Sequence, residues 1–204
     1  MYKLSYFTEN DDEAVIAFMK QHSFAVITAI GEQYPVATQV PLFIDVNEEG
    51  KIVLSGHIMR KTDHHKAFEK NSNVLVLFTG PHTYISASWY SNPQSASTWN
   101  YMTVQAKGKI TLLDEVATYQ AIKNITDHYE GKETAAAFNK MDDEYIASML
   151  KAIVAFSIEV ETLENVFKLS QNKDEQNKKQ IINALQQRQD ENSKMIAEEM
   201  MKRL

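Results

Sequence analysis

The stretch FAVITAIGEQYPVATQVPLFIDVNEEGKIVLSGH (residues 24–57) decides the fold. Its first seven residues, Phe24-Ala25-Val26-Ile27-Thr28-Ala29-Ile30, are a nearly continuous apolar run ended by Gly31. Length and β-branched content predict a strand buried on both faces. Gly31-Glu32-Gln33 reads as a short turn, and residues 35–46 as a second strand. Asn47-Glu48-Glu49-Gly50 is a strong turn signal, and residues 51–57 form a third strand. Hairpin-like links this short join antiparallel neighbours and leave no room for crossover helices.

Working outward, residues 10–21 predict a helix. Asn10 can cap it, acids fill its first turn, and Val15, Ile16, Phe18 and Met19 make an apolar side. Residues 62–70 suit a short helix capped by Thr62 or Asp63. Residues 74–78 form a buried strand stopped by Gly80-Pro81, and residues 83–89 another strand. Residues 90–97 are polar, contain Pro93 and read as a loop. Residues 99–113 make a long strand in which Gly108 marks a bulge or sharp bend. Residues 114–129 and 142–150 predict helices, and residues 153–163 a final alternating strand. From Lys173 the chain is charged and amide-rich, with Ile181, Leu185, Ile196, Met200 and Leu204 at helical spacings. Polar residues interrupt that stripe, which predicts a partly exposed helix that packs on a partner subunit or dangles. The sum is mainly β with peripheral helices: an antiparallel barrel over residues 1–172 and a helical extension over residues 173–204.

The bulk properties narrow the chemistry. The chain has 204 residues, 44% hydrophobic and 24% charged, with a formal net charge of −6. That balance opposes non-specific DNA binding, which needs clustered cations facing phosphates. With no cysteine, disulfides, thiolate nucleophiles and Cys-ligated metals are excluded. The first residues lack an apolar signal core and no long apolar span occurs, so a cytoplasmic protein free of the membrane is expected.

Generic catalytic motifs such as GxGxxG, a Walker loop, HExxH and GxSxG do not occur. Four constellations remain. In Gly56-His57-Ile58-Met59-Arg60-Lys61-Thr62, two cations and a hydroxyl follow a strand end and open a helix. Such a turn suits a phosphate, through Arg60's planar fork, Lys61's point charge and the helix N–H groups, and it equally suits a solvated basic turn. His64-His65 reads as a surface pair, since adjacent helical side chains diverge by about 100°, and no metal is expected. Ser86-Ala87-Ser88-Trp89-Tyr90 and Ser97-Thr98-Trp99-Asn100-Tyr101 are dense in rings, hydroxyls and amides, which suits a planar ligand or a wet aromatic edge. Phe167-Lys168-Leu169-Ser170-Gln171-Asn172 follows the last strand and by itself reads as a connection to a helix.

Taken in order, Met1-Tyr2 with Phe7, Gly56-His57 before Arg60, Gly80-Pro81 before Tyr84-Ile85-Ser86, Ser88-Trp89-Tyr90, Thr98-Trp99-Asn100-Tyr101 and Lys168-Leu169-Ser170-Gln171-Asn172 form one set. This set resembles the PaiB-like FMN-binding family, often described as negative transcriptional regulators, from Met1 to about Asn172. The resemblance implies an FMN-binding split β-barrel, similar to pyridoxamine-phosphate oxidases, that works as a homodimer with FMN at the subunit interface. By that similarity Arg60, Lys61 and Thr62 hold the phosphate. Thr38, Gln39, Val40, Gly56, His57 and Ile58 line the isoalloxazine, and Trp99, Asn100 and Lys168 close the site. The chain departs from the family pattern near Lys3-Leu4 and at Ala87, where the family usually has proline. It departs also at Phe167, where the family has tryptophan, and at Thr62, where asparagine is common.

Three functional classes follow. The first is an FMN-binding protein, as a flavin-dependent oxidoreductase or a flavin-linked regulator, with His57 the best candidate near the ring. The second is a repressor acting directly on DNA, for which neither a helix-turn-helix signature nor a basic helix is evident. The third is a binder of haem or another planar ligand.

Overall fold

Strands β1 (Phe24–Ala29), β2 (Val36–Pro41), β3 (Phe43–Val46), β4 (Ile52–Met59), β5 (Asn73–Ile85), β6 (Thr98–Leu112) and β7 (Ile153–Lys168) form one sheet in the order β2-β1-β5-β6-β7-β4-β3. A computed structural model describes Met1 and residues 4–204. Tyr2 and Lys3, on which part of the N-terminal resemblance falls, lie outside the described residues. The helices are α1 (Asp12–Gln21), α2 (Asp63–Lys70), α3 (Glu115–Glu130), α4 (Asp143–Ala152), α5 (Glu175–Gln186) and α6 (Glu191–Met201). No helix among the described residues is long and apolar enough to cross a membrane. The chain divides into two compact units, one of Met1–His22, Phe78–Gln105 and Glu164–Leu204, the other of Ser23–Leu77 and Ala106–Leu163.

The second unit holds the deciding stretch. β1 pairs antiparallel with β2 and β5, and β4 with β3 and β7. The predicted second strand is two strands, β2 and β3, separated by Leu42 alone. These are the two ends of the sheet order, so the sheet curls until its ends meet at that residue. Leu42 is buried there, and its N–H donates to Ser23 O at 2.9 Å. β1 is not buried on both faces. Ala25, Ile27 and Ala29 are buried, their alternates are only half-covered, and Phe24 and Ile30 stay exposed. One-sided cover is the normal state of an antiparallel sheet.

Gly108 sits in unbroken alternation along β6, so it does not mark a bulge. Its role is close approach: a Cβ there would lie 2.1 Å from Glu159 O. Beside the sheet, Ile122 of α3, Ile146 of α4 and Phe138 between them form a small apolar cluster.

In the first unit, α1 is capped by Asp11, one residue after the expected Asn10. Its carboxylate accepts from the N–H groups of Glu13 and Ala14. Gly80-Pro81 does not stop β5, which runs on to Ile85. Burial falls on Val74, Val76 and Phe78, then on Pro81, Thr83 and Ile85. The phase slips by one residue, as a bulge produces. Ala87–Trp89 is a 3-10 turn rather than strand. β7 runs five residues beyond its predicted end, carrying Val166 and Phe167 into the core.

The C-terminal segment is two helices, not one, and it does not dangle. Ile181, Ile182 and Leu185 of α5 and Ile196, Ala197 and Met200 of α6 are buried. Ser193 and Thr83 share a hydroxyl hydrogen bond at 2.8 Å, and Arg203 pairs with Glu9 at 3.0 Å. The polar interruptions that broke the stripe fall at Asp190 and its neighbours, where α5 ends and Asp190 caps α6.

Candidate functional site

The basic turn belongs to the second unit. β4 ends at Met59 and α2 begins at Asp63, with Arg60, Lys61 and Thr62 between them. Arg60 pins the turn: its N–H donates to Ala152 O and its Nε–H to Ile153 O, both at 2.8 Å. Neither bond uses the two terminal guanidinium groups. Lys61 adopts a φ of 65°, a left-handed conformation that costs a non-glycine residue about 1–2 kcal/mol. Its side chain is exposed. Thr62 caps α2. Its hydroxyl oxygen accepts from His65 N–H at 3.3 Å and its proton goes to Met59 O at 3.0 Å. Two cations beside a helix N-terminus form a donor set that fits a phosphate.

Residues 38–40 and 56–58 are brought together in the same unit. A Cβ on Gly56 would meet Pro41 O at 3.1 Å and Phe156 Cζ at 3.0 Å. The glycine therefore lets β4 approach the end of β2. Thr38 and Val40 are half-buried and Gln39 is exposed, its amide 3.5 Å from Phe24 O. His57 is opposite Ala155 on β7, and burial holds its pKa below the ordinary histidine value. Ile58 is buried. The His64-His65 pair is not a surface pair. His65 is 7% exposed, because it shares the inward face of α2 with Ala67 and Phe68. Its Nδ1 is 3.6 Å from Glu69, and its buried Nε2 has no hydrogen-bond partner. Among the described residues, no three His, Cys, Asp or Glu side chains converge as metal ligands.

Trp99, Asn100 and Lys168 belong to the first unit. Trp99 is 53% exposed, its ring 6.0 Å from Tyr84 and 6.2 Å from His82. Asn100 is fully buried. Its Nδ2 donates to Ser170 Oγ at 3.0 Å and to Met200 Sδ at 3.5 Å, and its Oδ1 accepts from Ser170 at 3.1 Å. Its amide is thus committed inside the chain. Lys168 Nζ donates to Thr98 Oγ1 at 2.5 Å, and burial holds its pKa below the ordinary lysine value. The ring-rich segments and the segment after β7 therefore meet, although some 70 residues separate them in sequence. Ser170 belongs to the quoted motif at residues 168–172, in which the sequence alone assigns it no role of its own. Its φ of 62° and its bonds to Asn100 make it the hinge of that meeting.

The geometry has counterparts among solved structures. The flavocytochrome Anf3 of Azotobacter vinelandii matches with a TM-score of 0.62 at 15% identity, over 82% of this chain and 72% of that one. The FAD and heme binding protein of Mycobacterium smegmatis matches at 0.59, also at 15% identity, over 79% and 73%. These likenesses show the fold, a mainly β split barrel with helices. The chain belongs to the PaiB-like FMN-binding family. The family described as "Putative FMN-binding domain" matches residues 1–162. The chain is also 32% identical to the protease synthase and sporulation protein PAI 2 of Bacillus subtilis (strain 168), over 100% of this chain and 98% of that one.

Proposed function

We propose that this chain binds FMN as a homodimer, with the phosphate held by the turn at Arg60, Lys61 and Thr62 and the cofactor at the subunit interface. The observation that carries the reading is Lys61. A non-glycine residue persists at positive φ where the surroundings over-determine it, and such residues gather at ligand clamps. Arg60 is anchored twice through its backbone N–H and Nε, which leaves its fork aimed by the fold rather than by solvent. Thr62 acts by capping α2, so that the helix presents its N-terminus beside the two cations.

Thr38, Gln39, Val40, Gly56, His57 and Ile58 supply the wall for the ring system, with Gly56 permitting the close approach of β4 to β2. Trp99 offers an exposed ring that can cover a planar ligand. Asn100 positions the strand that carries it. Membership of the FMN-binding family and likeness to a flavocytochrome and to an FAD and heme binding protein support flavin as the ligand. A bound flavin would supply the redox chemistry, while the chain binds and orients it.

Titration of the purified protein with FMN, followed by flavin fluorescence and melting temperature, tests the reading. Arg60→Ala with Lys61→Ala removes two charge-assisted contacts, each about 1.5–3 kcal/mol, so affinity should fall at least about a hundredfold. Unchanged affinity moves the phosphate elsewhere. A haem Soret band in place of a flavin spectrum overturns the cofactor.

A further inference from the structure

The first unit contains a cavity of about 300 Å³ lined by Phe7, Tyr90, Ser97, Thr98, Lys168 and Lys173, with Ser170 and Asn172 at its wall. Its chemistry is one-sided. Its lining residues include two lysines, Ser97, Thr98 and Ser170 and an asparagine, and no carboxylate is among them; Thr98 already accepts from Lys168 and Ser170 bonds Asn100. Tyr90 is 6% exposed, and its hydroxyl is buried without a hydrogen-bond partner. A buried orphan hydroxyl is costly unless a ligand or water completes it. Burial, and after it the nearby Tyr84, pushes the Tyr90 pKa up, so the hydroxyl stays a protonated donor. Lys173 Nζ lies 4.2 Å from the centre of the Tyr90 ring, which holds that cation at the cavity wall.

We propose that this cavity is a second ligand site, which takes the oxyanion of a small organic acid or phosphate ester, with Tyr90, Lys168 and Lys173 as donors. The donor set meets an acceptor-only group: two cations neutralise the charge and the tyrosine hydroxyl contributes a short hydrogen bond. The rings of Phe7 and Tyr90 leave room for an apolar body behind the charged end. The size suits a small molecule, since ligand cavities run from roughly 300 to 1,000 Å³. The site shares Lys168 with the residues expected to close the flavin site, whereas Tyr90 and Lys173 take no part in that reading and separate the two.

Calorimetric titration of the flavin-free full chain with inorganic phosphate and, separately, with benzoate tests the proposal. Saturable binding of either probe is expected, and the arm that binds tells a phosphate ester from a carboxylate. Tyr90→Phe keeps the ring and removes only the orphan hydroxyl. It should weaken the probe about tenfold, the factor of one charge-assisted hydrogen bond. Lys173→Ala should weaken it similarly. Both variants should bind FMN as the parent does and keep its melting temperature. The proposal falls if neither probe saturates, if both variants bind the probe like the parent, or if FMN competes with it. Competition would make the cavity part of the flavin site. Failure of the Arg60 and Lys61 assignment would instead appear as unaltered FMN affinity in that double variant.

Discussion

His57 shows how a single residue reports on its setting. It is half-buried on β4, and desolvation lowers its pKa below 6.5. His22 is shifted the same way by the same cause. For a group whose folded pKa is lowered, the unfolded chain takes up the proton first. Stability is therefore full above 6.5 and is lost as pH falls below that value towards the folded pKa. Replacing His57 by Asn should flatten that loss. Urea unfolding at roughly pH 7.5 and 5.5 measures it, and an unaltered difference between the two pH values would discharge His57 from the role. The residue types of this site were legible: Arg60, Lys61 and Gly56 stand out in any reading. Their geometry was not. Thr62 gives its hydroxyl proton to Met59 O, and Asn100 spends its amide on Ser170. The first depends on the torsions of the turn, the second on packing that brings in a residue 70 positions away.

At the scale of elements, local rules gave β1, β4, α3 and α4 within a residue or two of their ends. Apolar alternation and Asp114 or Asp142 caps are local signals. They failed where tertiary contact overrode punctuation. Gly80-Pro81 reads as a stop, yet β5 passes through it by slipping one residue. A Cβ at Gly80 would lie 2.5 Å from the Phe18 ring, so the glycine is needed for packing rather than for ending the strand. The α5–α6 pair is the other case. Leu185 is fully buried, which makes the pair part of its unit's core. Leu185→Ala should cost about 2–5 kcal/mol in chemical denaturation. A loss below about 1 kcal/mol would show that the helices contribute little to the core.

At the scale of the whole molecule, the proposed homodimer is tested through the exposed apolar surface. Ile30 and Tyr34, 63% and 72% exposed, lie in the β1–β2 turn, and Phe24, 60% exposed, starts β1 at the far end of the same hairpin. The apolar run that demanded cover on both faces is covered on one. A second copy is the economical cover, and a stable contact needs roughly 1,200–2,000 Å² in total. Sedimentation equilibrium should give twice the 23.3 kDa chain mass, and Ile30→Glu with Tyr34→Glu should shift the population to monomer. A parent chain that stays monomeric up to high concentration would remove the dimer from the proposed function.

The sequence by itself determined the class of fold and the family. Short turns between alternating apolar runs force antiparallel pairing, and the ordered motifs from Met1 to about Asn172 resemble those of the PaiB-like FMN-binding family, whose domain matches residues 1–162. Only the tertiary structure decided that β2 and β3 close the sheet at Leu42. It alone decided that residues some 70 positions apart meet at Asn100 and Ser170, and that Tyr90 is left with a buried, unpartnered hydroxyl. The reason is one of range. Periodicity and capping act over a few residues and can be read along the chain. Which distant side chains fill each other's hydrogen bonds is fixed only when the packed core sets their positions.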